Sequence, residues 1–356
     1  MKIQHSCGLA VALATASVAV ALPPAVSSAP HERTFEVTYA AEVHDIPTGT
    51  HQVEIWLPYP QDDDYQTILD ASVSSPYPAE ILTAPQYRNT MVHIVVENPS
   101  GTIPVTMKFT VRRLEHVEDG FKQASATHGT SNVSSKGADA NPASLARWLE
   151  PDRLVPLDAR IRELSAQVTA GKLTQMEKAR AIYDYVEANM KYDKSGTGWG
   201  HGDIYWACEA KRGNCTDFHA LFIGLARAAG IPAKFEIGLP LPADKASGEI
   251  AGYHCWMEFY LNGYGWIPVD AYEGWKDPAK REYFFGAHDA NRMQFSVGRD
   301  VVLAPRQAGA PLNYFIYPYV EADGKPFADV SRKFSFRDEN AAPGTSASAA
   351  NASAMK

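Results

Sequence analysis

The 356-residue chain lacks any run of basic residues and has a formal net charge of −8. Proteins that bind nucleic acid cluster Lys and Arg against the phosphates, so this charge pattern argues against a nucleic-acid partner. Beyond the N-terminal leader no stretch approaches the length of apolar sequence that a membrane-spanning helix needs, so we expect no integral membrane segment after leader removal. A calcium loop of the D-x-D-x-D type is also missing, and the sequence implies neither a metal nor an organic cofactor.

The N-terminus has the pattern of an export signal. Lys2 supplies the positive start, residues 8–22 are apolar, and small residues follow up to Ala29. We therefore expect a signal peptide over residues 1–29 and a periplasmic or secreted bacterial protein. An amphipathic leader that is left uncleaved is the alternative.

Cysteine is scarce, with four in the whole chain and Cys7 inside the predicted leader. The mature chain would keep Cys208, Cys215 and Cys255. In an oxidising compartment an odd number leaves at least one thiol free or paired with another chain. Two possibilities remain open: a disulfide between Cys208 and Cys255, or three free thiols.

The remaining chain divides by composition. Alternating apolar residues, such as those of HQVEIWL, predict an N-terminal antiparallel β domain, sandwich-like, over residues 30–117. Few large apolar residues follow, so residues 118–142 are interpreted as a flexible linker. Helical and then strand patterns predict a second, mixed domain over residues 143–337, which contains the candidate catalytic residues described below, and residues 338–356 are interpreted as a disordered tail.

The stretch KRGNCTDFHALF predicts a helix with a cysteine at its start. Asn214 is a favourable N-cap residue, and Gly230 and Pro232 mark the end, so Cys215 occupies the first helical position. There the helix dipole favours the thiolate, and free backbone amides point to where an oxyanion would form. Asp217, in the first turn, is expected to stabilise the helix.

A histidine and an aspartate follow within one predicted hairpin, residues 252–270. A three-residue loop Leu261–Gly263, with its glycine in the left-handed conformation, would pair Tyr260 with Tyr264. That register places His254 opposite Asp270, whereas a two-residue loop would put the aspartate on the wrong face. The aspartate would orient the imidazole, and the imidazole would act as the base of a nucleophilic cysteine.

The segments GNCTDFHALFIGLARAAGIPA and GYHCWMEFYLNGYGWIPVD closely resemble the transglutaminase-like superfamily, a branch of the papain-like cysteine enzymes. The resemblance spans roughly residues 158–305. It implies an α+β fold, in which a nucleophile helix packs on an antiparallel sheet, preceded here by the β-sandwich-like domain. By this resemblance Cys215 corresponds to the nucleophile, His254 to the base and Asp270 to the orienting acid.

The family also carries a group upstream of the cysteine, often Trp or Gln, that assists the oxyanion. Trp206 and Trp199 are the candidates here, without a clean match. Residues 195–203, SGTGWGHGD, are interpreted as a mobile loop that flanks the site with Trp199 as a wall; no Lys-Ser or Lys-Thr follows, so a phosphate loop is excluded. Family members often have Pro after the acid, where this chain has Ala271.

Other readings of these residues stay open. Cys215 could be a structural or disulfide-bonded cysteine, or a metal could be held by Cys208, Cys215, His219 and His254. We expect a structural or surface role for His219, and His201 and His288 look like loop histidines. Cys255 is expected to face away from His254 and to be packed, or paired with Cys208.

The resemblance and the residues together predict an exported cysteine-dependent acyl-transfer enzyme that acts on a protein or peptide substrate. Its thioester would be released by water, as in a peptidase or amidase, or by an amine, as in a transglutaminase. Hydrolysis is slightly favoured because water needs no second binding site. A peptide- or cell-wall-binding module without turnover is the alternative, and the oligomeric state is left open.

Overall fold

The structure is a computed structural model that describes residues 31–118, 120–122 and 142–339. The predicted signal peptide, most of the predicted linker and all but the first two residues of the predicted tail lie outside the described residues. Among the described helices, none is both long and apolar enough to cross a membrane.

The N-terminal part consists of strands. They are β1 (Glu32–Val43), β2 (Gln52–Tyr59), β3 (Gln66–Ser74), β4 (Ala79–Thr83), β5 (Thr90–Glu97), β6 (Ile103–Leu114) and β7 (His116–Val117).

Helices and strands alternate in the rest of the chain. The helices are α1 (Pro142–Ala146), α2 (Ala159–Val168), α3 (Gln175–Asn189), α4 (Ile204–Ala210), α5 (Cys215–Ala228), α6 (Ala271–Lys276) and α7 (Arg281–Phe284), with 3₁₀ turns at Arg147–Leu149 and Pro278–Lys280. The strands are β8 (Lys191–Tyr192), β9 (Arg212–Gly213), β10 (Ala233–Pro240), β11 (Ser247–Ile250), β12 (His254–Leu261), β13 (Gly265–Val269), β14 (Ala287–His288), β15 (Arg292–Val297), β16 (Tyr319–Ala322), β17 (Lys325–Phe327) and β18 (Val330–Asp338).

Two five-stranded antiparallel sheets form the sandwich expected from the alternating strands. Their orders are β11-β18-β1-β6-β3 and β17-β16-β2-β5-β4. Every second residue of β1, including Phe35, Val37 and Tyr39, is buried, because a strand with one face on a core turns alternate side chains inward. The prediction of a β-sandwich is therefore confirmed.

The two sheets also take strands from the C-terminal end, which differs from the predicted division at residue 117. β18 pairs with β1 along its whole length, and β16 pairs with β2. Phe334 and Phe336 of β18 are buried, and the Phe334 ring lies 4.5 Å from that of Tyr39. Residues 319–338, predicted to belong to the catalytic domain, thus complete the sandwich. Alternation in a sequence reveals a strand but not its partner, which explains the difference.

The second part of the chain builds a four-stranded antiparallel sheet of order β13-β12-β10-β15. Helix α5 packs on β12 and β10 and is surrounded by α2, α3 and α4. Residues 215–227 of α5 are buried on every side, which is typical of a central helix rather than a surface one. This arrangement confirms the predicted α+β class, with a nucleophile helix on an antiparallel sheet.

The hairpin of β12 and β13 differs in register from the prediction. Its three-residue turn is 262–264, so Tyr260 pairs with Trp266 and not with Tyr264. Gly263 does adopt the predicted left-handed conformation, with φ of +83°. The prediction misplaced the turn by one residue along the chain, which displaced the register by two.

A displacement of two residues keeps every side chain on its predicted face, since strands have a period of two. The last paired residues are Met257 and Val269, and Asp270 lies just beyond them. His254 is therefore not the cross-strand partner of Asp270, although both side chains still reach the same side of the sheet.

The start of the predicted linker is packed rather than free. Residues 120–122 form a helical turn, and Phe121 is fully buried against Phe259 and Phe285, with ring centroids 5.9 and 5.2 Å away. The linker as a whole stays a prediction, because its remaining residues lie outside the described ranges.

Candidate active site

Cys215 is the first residue of α5, as the sequence predicts, and only 5% of it is exposed. The Asn214 side chain accepts a hydrogen bond from the Thr216 amide at 2.9 Å, and the Asp217 carboxylate accepts one from the Asn214 amide at 2.9 Å. These reciprocal bonds form a capping box that fixes the helix start. The thiol is thereby held at the positive end of the helix dipole.

Asp217 also anchors the glycine-rich loop. Its carboxylate accepts hydrogen bonds from the Gly200 and Gly202 amides at 2.7 and 2.9 Å. Gly213 packs so closely on the same carboxylate that an added Cβ would lie 2.1 Å from Asp217 Oδ2. The loop interpreted as mobile is therefore tied to the first turn of α5, and the structural role predicted for Asp217 extends to this loop.

His254 and Asp270 are brought together directly. His254 Nε2 lies 2.7 Å from Asp270 Oδ2, and both side chains are buried. Asp270 is also the N-cap of α6, where its Oδ1 accepts from the Glu273 amide at 3.0 Å. Ala271 is then the first residue of α6, a position that tolerates Pro, so the departure from the family pattern leaves the acid in place.

The other imidazole nitrogen of His254 is left for the cysteine, because Nε2 is engaged by Asp270. The Cys215 thiol interacts with His254 and also with Cys255, which both lower its pKa. The structure thus brings the three sequence-predicted residues into one continuous chain of contacts. In such an arrangement the acid fixes the ring and the ring faces the thiol.

Arg292 supports the acid from the far side, a role that sequence reasoning missed. Its Nη1 donates to Asp270 Oδ2 at 3.1 Å, and its Nε donates to Asp289 at 3.2 Å. The guanidinium is 2% exposed and lies over the Trp256 ring, 4.8 Å from its centroid. No local motif marks this arginine, since it comes from β15, the opposite edge of the sheet.

Electrostatics favours a charged cysteine–histidine pair. Burial alone would raise the pKa of Asp270, but the charges of His254 and Arg292, the hydrogen bond from His254 and the nearby His219 imidazole hold it well below its usual range. Burial would lower the pKa of His254, yet the Asp270 carboxylate and Cys215 raise it to about 10.

The pKa of Cys215 moves in the opposite direction. Burial raises the pKa of a thiol, but hydrogen bonds from Cys255 and His254 and the positive charges of His254 and His219 bring it well below its ordinary value. A thiolate beside an imidazolium is therefore the favoured state of the pair near neutral pH.

His219 and Cys255 lie closer to the triad than the sequence indicated. His219 is fully buried, with its Nε2 3.5 Å from Asp270 Oδ1 and its Nδ1 3.6 Å from Cys255 Sγ. Cys255 Sγ lies 3.7 Å from Thr216 Oγ1. The prediction that Cys255 is packed agrees with its burial. Its side chain lies on the face of β12 that α5 covers. In the sequence, the spacing of four residues between Cys215 and His219 already indicated that the two lie on one face of the helix.

The positions of the two tryptophans that were predicted to assist the oxyanion give less direct support for that role. The Trp199 indole N–H donates to the Gly196 carbonyl at 3.1 Å, within its own loop. The Trp206 indole nitrogen packs on Gly198, where an added Cβ would lie 2.3 Å away. Trp206 also lines a cleft of about 360 Å³ that includes His201 but none of the triad residues. An oxyanion role for either indole stays a prediction.

All three described cysteines are free thiols, so a disulfide between Cys208 and Cys255 is not formed. Within the described ranges, the ligand atoms of Cys208, Cys215, His219 and His254 do not gather into a metal-binding group. Burial raises the pKa of the Cys208 thiol, which separates it chemically from Cys215.

Aromatic side chains flank the imidazole. The Tyr272 ring lies 5.7 Å from that of His254 and 4.6 Å from that of Tyr192. Phe218 and Trp275 pack around Tyr272 in turn. Tyr192, Tyr272 and Trp275 are partly exposed, so an apolar surface adjoins the reactive pair.

The fold and the site define the chain as a protein with a cysteine-centred, papain-like core. Residues 162–271 match the family model of the transglutaminase-like superfamily, which spans α5, the hairpin and Asp270. The match falls on the segment whose sequence resembles this superfamily, so that resemblance is confirmed.

Relatives extend the likeness beyond that segment. An "Uncharacterized protein" of Haemophilus influenzae is 26% identical over 352 residues, which cover 87% of this chain and 94% of that protein. YebA of Bacillus subtilis is 27% identical over 138 residues, 35% of this chain but 19% of YebA. A crystal structure from Cytophaga hutchinsonii, described as a "Putative Cysteine Protease", has a TM-score of 0.59 at 15% identity. It covers 88% of this chain and 92% of its own, and it shows that the fold is shared.

Proposed function

We propose that the protein is a cysteine-dependent acyl-transfer enzyme that acts on peptide or glutamine carboxamide bonds. The observation that carries the proposal is the chain of contacts from Cys215 through His254 to Asp270, with the 2.7 Å bond between the last two. A packed structural cysteine has no need of an imidazole fixed by a buried carboxylate. The match to the transglutaminase-like superfamily supports the same chemistry.

In the first half-reaction, the Cys215 thiolate attacks the carbonyl carbon, and the carbonyl π electrons move to the oxygen. The backbone N–H of Cys215, free at the start of α5, donates to the oxyanion. The imidazolium of His254 gives its Nδ1 proton to the leaving nitrogen as the C–N bond breaks. The products are an amine or ammonia and a thioester on Cys215.

In the second half-reaction, His254 acts as a base because it has just lost its proton. It takes a proton from the incoming water or amine, which attacks the thioester carbonyl and displaces the Cys215 thiolate. Asp270 holds the ring in one orientation and stabilises its protonated form throughout, and the Arg292 contact keeps Asp270 ionised.

Hydrolysis is the outcome that we favour, since it requires no second binding site. The partly exposed aromatic surface around Tyr272 adjoins the reactive pair and suits an apolar side chain of a peptide substrate. A protein or peptide is accordingly the proposed substrate, and no cofactor takes part in either half-reaction.

Mass spectrometry of a glutamine-containing peptide library, with and without a primary amine, tests the proposal. Hydrolysis predicts cleaved or deamidated peptides under both conditions, and amine transfer predicts an added amine mass only when the amine is present. All conversion should vanish in Cys215→Ala. A library left unchanged by wild type, together with a Cys215 that iodoacetamide labels no faster than Cys208, would favour the binding module instead.

We also propose that the protein is exported, on the strength of the leader pattern in residues 1–29. Intact mass measurement of the protein recovered from a periplasmic fraction or culture medium tests this. A mass that lacks about the first 29 residues supports cleavage near Ala29, whereas a full-length mass in the cytosol contradicts export.

A further inference from the structure

A second group of buried histidines and a carboxylate lies outside the triad. The short strands β7 and β14 pair so that His116 is directly opposite His288. Glu258, on β12, completes the group, and one ligand atom from each residue lies within 4.8 Å of the others. The three residues are 3%, 0% and 7% exposed, so water solvates none of them freely.

The hydrogen bonds of the two imidazoles leave one nitrogen of each ring without a hydrogen-bond partner. His288 Nε2 lies 3.1 Å from the Val269 carbonyl, to which it must donate, so Nδ1 of the neutral ring carries a lone pair. Among the described residues no hydrogen-bond donor reaches that lone pair. A buried acceptor without a partner is rare, because its desolvation is not compensated.

His116 shows the same pattern. Its Nε2 lies 3.2 Å from Glu118 Oε1, and the stacked ring of Tyr65, 3.6 Å away between centroids, fixes its plane. Its Nδ1 lies 3.3 Å from Glu258 Oε1 without the geometry of a hydrogen bond. His116 therefore directs Nδ1 toward Glu258, Nδ1 is the unpartnered nitrogen of His288, and the two Nε2 atoms are held by a carboxylate and a carbonyl.

The charges around the group favour an added cation. Lys234 Nζ lies 2.6 Å from Glu258 Oε2 and 3.1 Å from Glu236 Oε1, so one ammonium faces two carboxylates. Glu118 adds a third carboxylate beside His116. The Arg292 guanidinium is bonded to Asp270 and Asp289 instead.

We propose that His116 Nδ1, His288 Nδ1 and Glu258 Oε1 bind a divalent transition-metal ion, with Zn²⁺ the best match. Two imidazoles and one carboxylate form a donor set that Zn²⁺ takes in proteins. Metal-bound histidines typically donate their other N–H to a carboxylate or backbone carbonyl, which fixes the ring, and both rings here do so. A bound ion also gives the unpartnered His288 nitrogen its missing partner.

Such an ion would stabilise the four-stranded sheet that carries His254. β7 continues from the sandwich strand β6, and β12 begins at His254. Trp256 lies between the two sites, with its ring 5.8 Å from that of His254 and 6.1 Å from that of His288. The metal would therefore stabilise the junction of sandwich and catalytic sheet, and it takes no part in the proposed acyl transfer.

Metal binding should be measured on the full chain without an affinity tag and with Cys215→Ser, so that the active-site thiolate cannot compete. After chelation and dialysis, Zn²⁺ is titrated against a chromophoric chelator, and Co²⁺ is added separately as a spectroscopic probe. We expect one Zn²⁺ per chain and a Co²⁺ visible absorption spectrum typical of nitrogen and oxygen ligands. Zn²⁺ should also raise the melting temperature.

Variants of the ligands and of their supports decide the assignment. Glu258→Gln and His288→Gln should each weaken Zn²⁺ binding at least about 100-fold, and Glu118→Gln, which leaves all three ligands in place, roughly 10- to 100-fold. His93→Gln is the matched control, because His93 is a buried histidine paired with Glu54 at 3.1 Å in a different sheet. It should bind Zn²⁺ as the parent does.

Absence of stoichiometric binding overturns the proposal, as does equal affinity in folded Glu258→Gln and the parent chain. If circular dichroism shows that His288→Gln does not fold, Glu118→Gln decides, since its side chain is 28% exposed and outside the core. An unchanged affinity in Glu118→Gln would then count against the site.

Discussion

Two clusters of histidine and carboxylate side chains lie along β12, and they differ in which atom is available for chemistry. In the triad, both oxygens of Asp270 are engaged, by His254, Arg292 and the Glu273 amide, and the atom proposed to react is the Cys215 sulfur. In the second cluster the carboxylate is shared with Lys234, and the free atoms are imidazole nitrogens.

The difference shows that residue type alone does not decide the chemistry of a buried cluster. His254 and Glu258 stand on the same face of one strand, four residues apart. The first adjoins a helix start, which supplies a nucleophile and amide donors, and the second adjoins a pair of short strands, which supplies a facing imidazole. These surroundings are the reason that we propose nucleophilic chemistry for the first group and metal binding for the second.

Removing the sulfur should have the largest effect on activity. Cys215→Ala is expected to lower kcat/KM by about 10⁵-fold or more, since no other thiol of the site has a lowered pKa. Activity is measured on whichever peptide the library identifies. Cys208→Ala serves as the control and should keep wild-type kcat/KM. Substantial activity in Cys215→Ala would assign the reaction to another group.

Asp270→Asn tests whether the charge of the Asp270 carboxylate is what distinguishes the triad from the second cluster. The amide keeps the shape but removes the charge that holds the His254 imidazolium, so kcat should fall roughly 10³- to 10⁴-fold. The pKa of His254, read from the pH dependence of kcat/KM, should fall as well. A loss of kcat with an unmoved pH profile would point to a purely structural role, and circular dichroism checks the fold.

The pH dependence of wild type follows from the two opposed pKa shifts. The reactive state requires Cys215 ionised and His254 protonated. Since the pKa of Cys215 is well below its usual value and that of His254 is about 10, kcat/KM should be high at neutral pH. It should fall as pH rises through about 10, when His254 loses its proton, and fall on the acid side as the thiolate is protonated. An alkaline limb near the ordinary histidine pKa would contradict the assignment.

Cys255 should give the smallest effect. Its hydrogen bond lowers the pKa of Cys215, and loss of one such bond in Cys255→Ala should raise that pKa by less than about one unit. The rate of Cys215 alkylation below neutral pH should then drop about three- to tenfold. Cys255→Ser keeps a donor and should react nearly as wild type does. Equal rates in the alanine variant would mean that the hydrogen bond contributes nothing.

Local signals in the sequence were enough to predict where Cys215 and His254 lie relative to the helix start and the hairpin; their catalytic roles stay a proposal. Asn214 before Cys215 indicated the helix start, because capping depends on a few adjacent residues. The spacing from His254 to Asp270 indicated a common side of the sheet even though the turn was misplaced, since only the parity of the loop mattered.

The second cluster could not be predicted in that way. His288 resembled a loop histidine because β14 has only two residues, too few to show alternation. Its partner His116 is more than 170 residues away in the chain, and only the pairing of β7 with β14 brings them together. Arg292 and the C-terminal strands were missed for the same reason, since each depends on a non-local partner.

The pairing of β18 with β1 has a consequence for the order in which the molecule can form. The first strand of the chain receives one neighbour from β6 and the other only from residues 330–338. During synthesis one edge of β1 therefore stays open until residues 330–338 have emerged, about 300 residues after β1 itself. Contacts of such long sequence separation are slow to form, so the sandwich should be the last part to gain protection from hydrogen exchange during refolding.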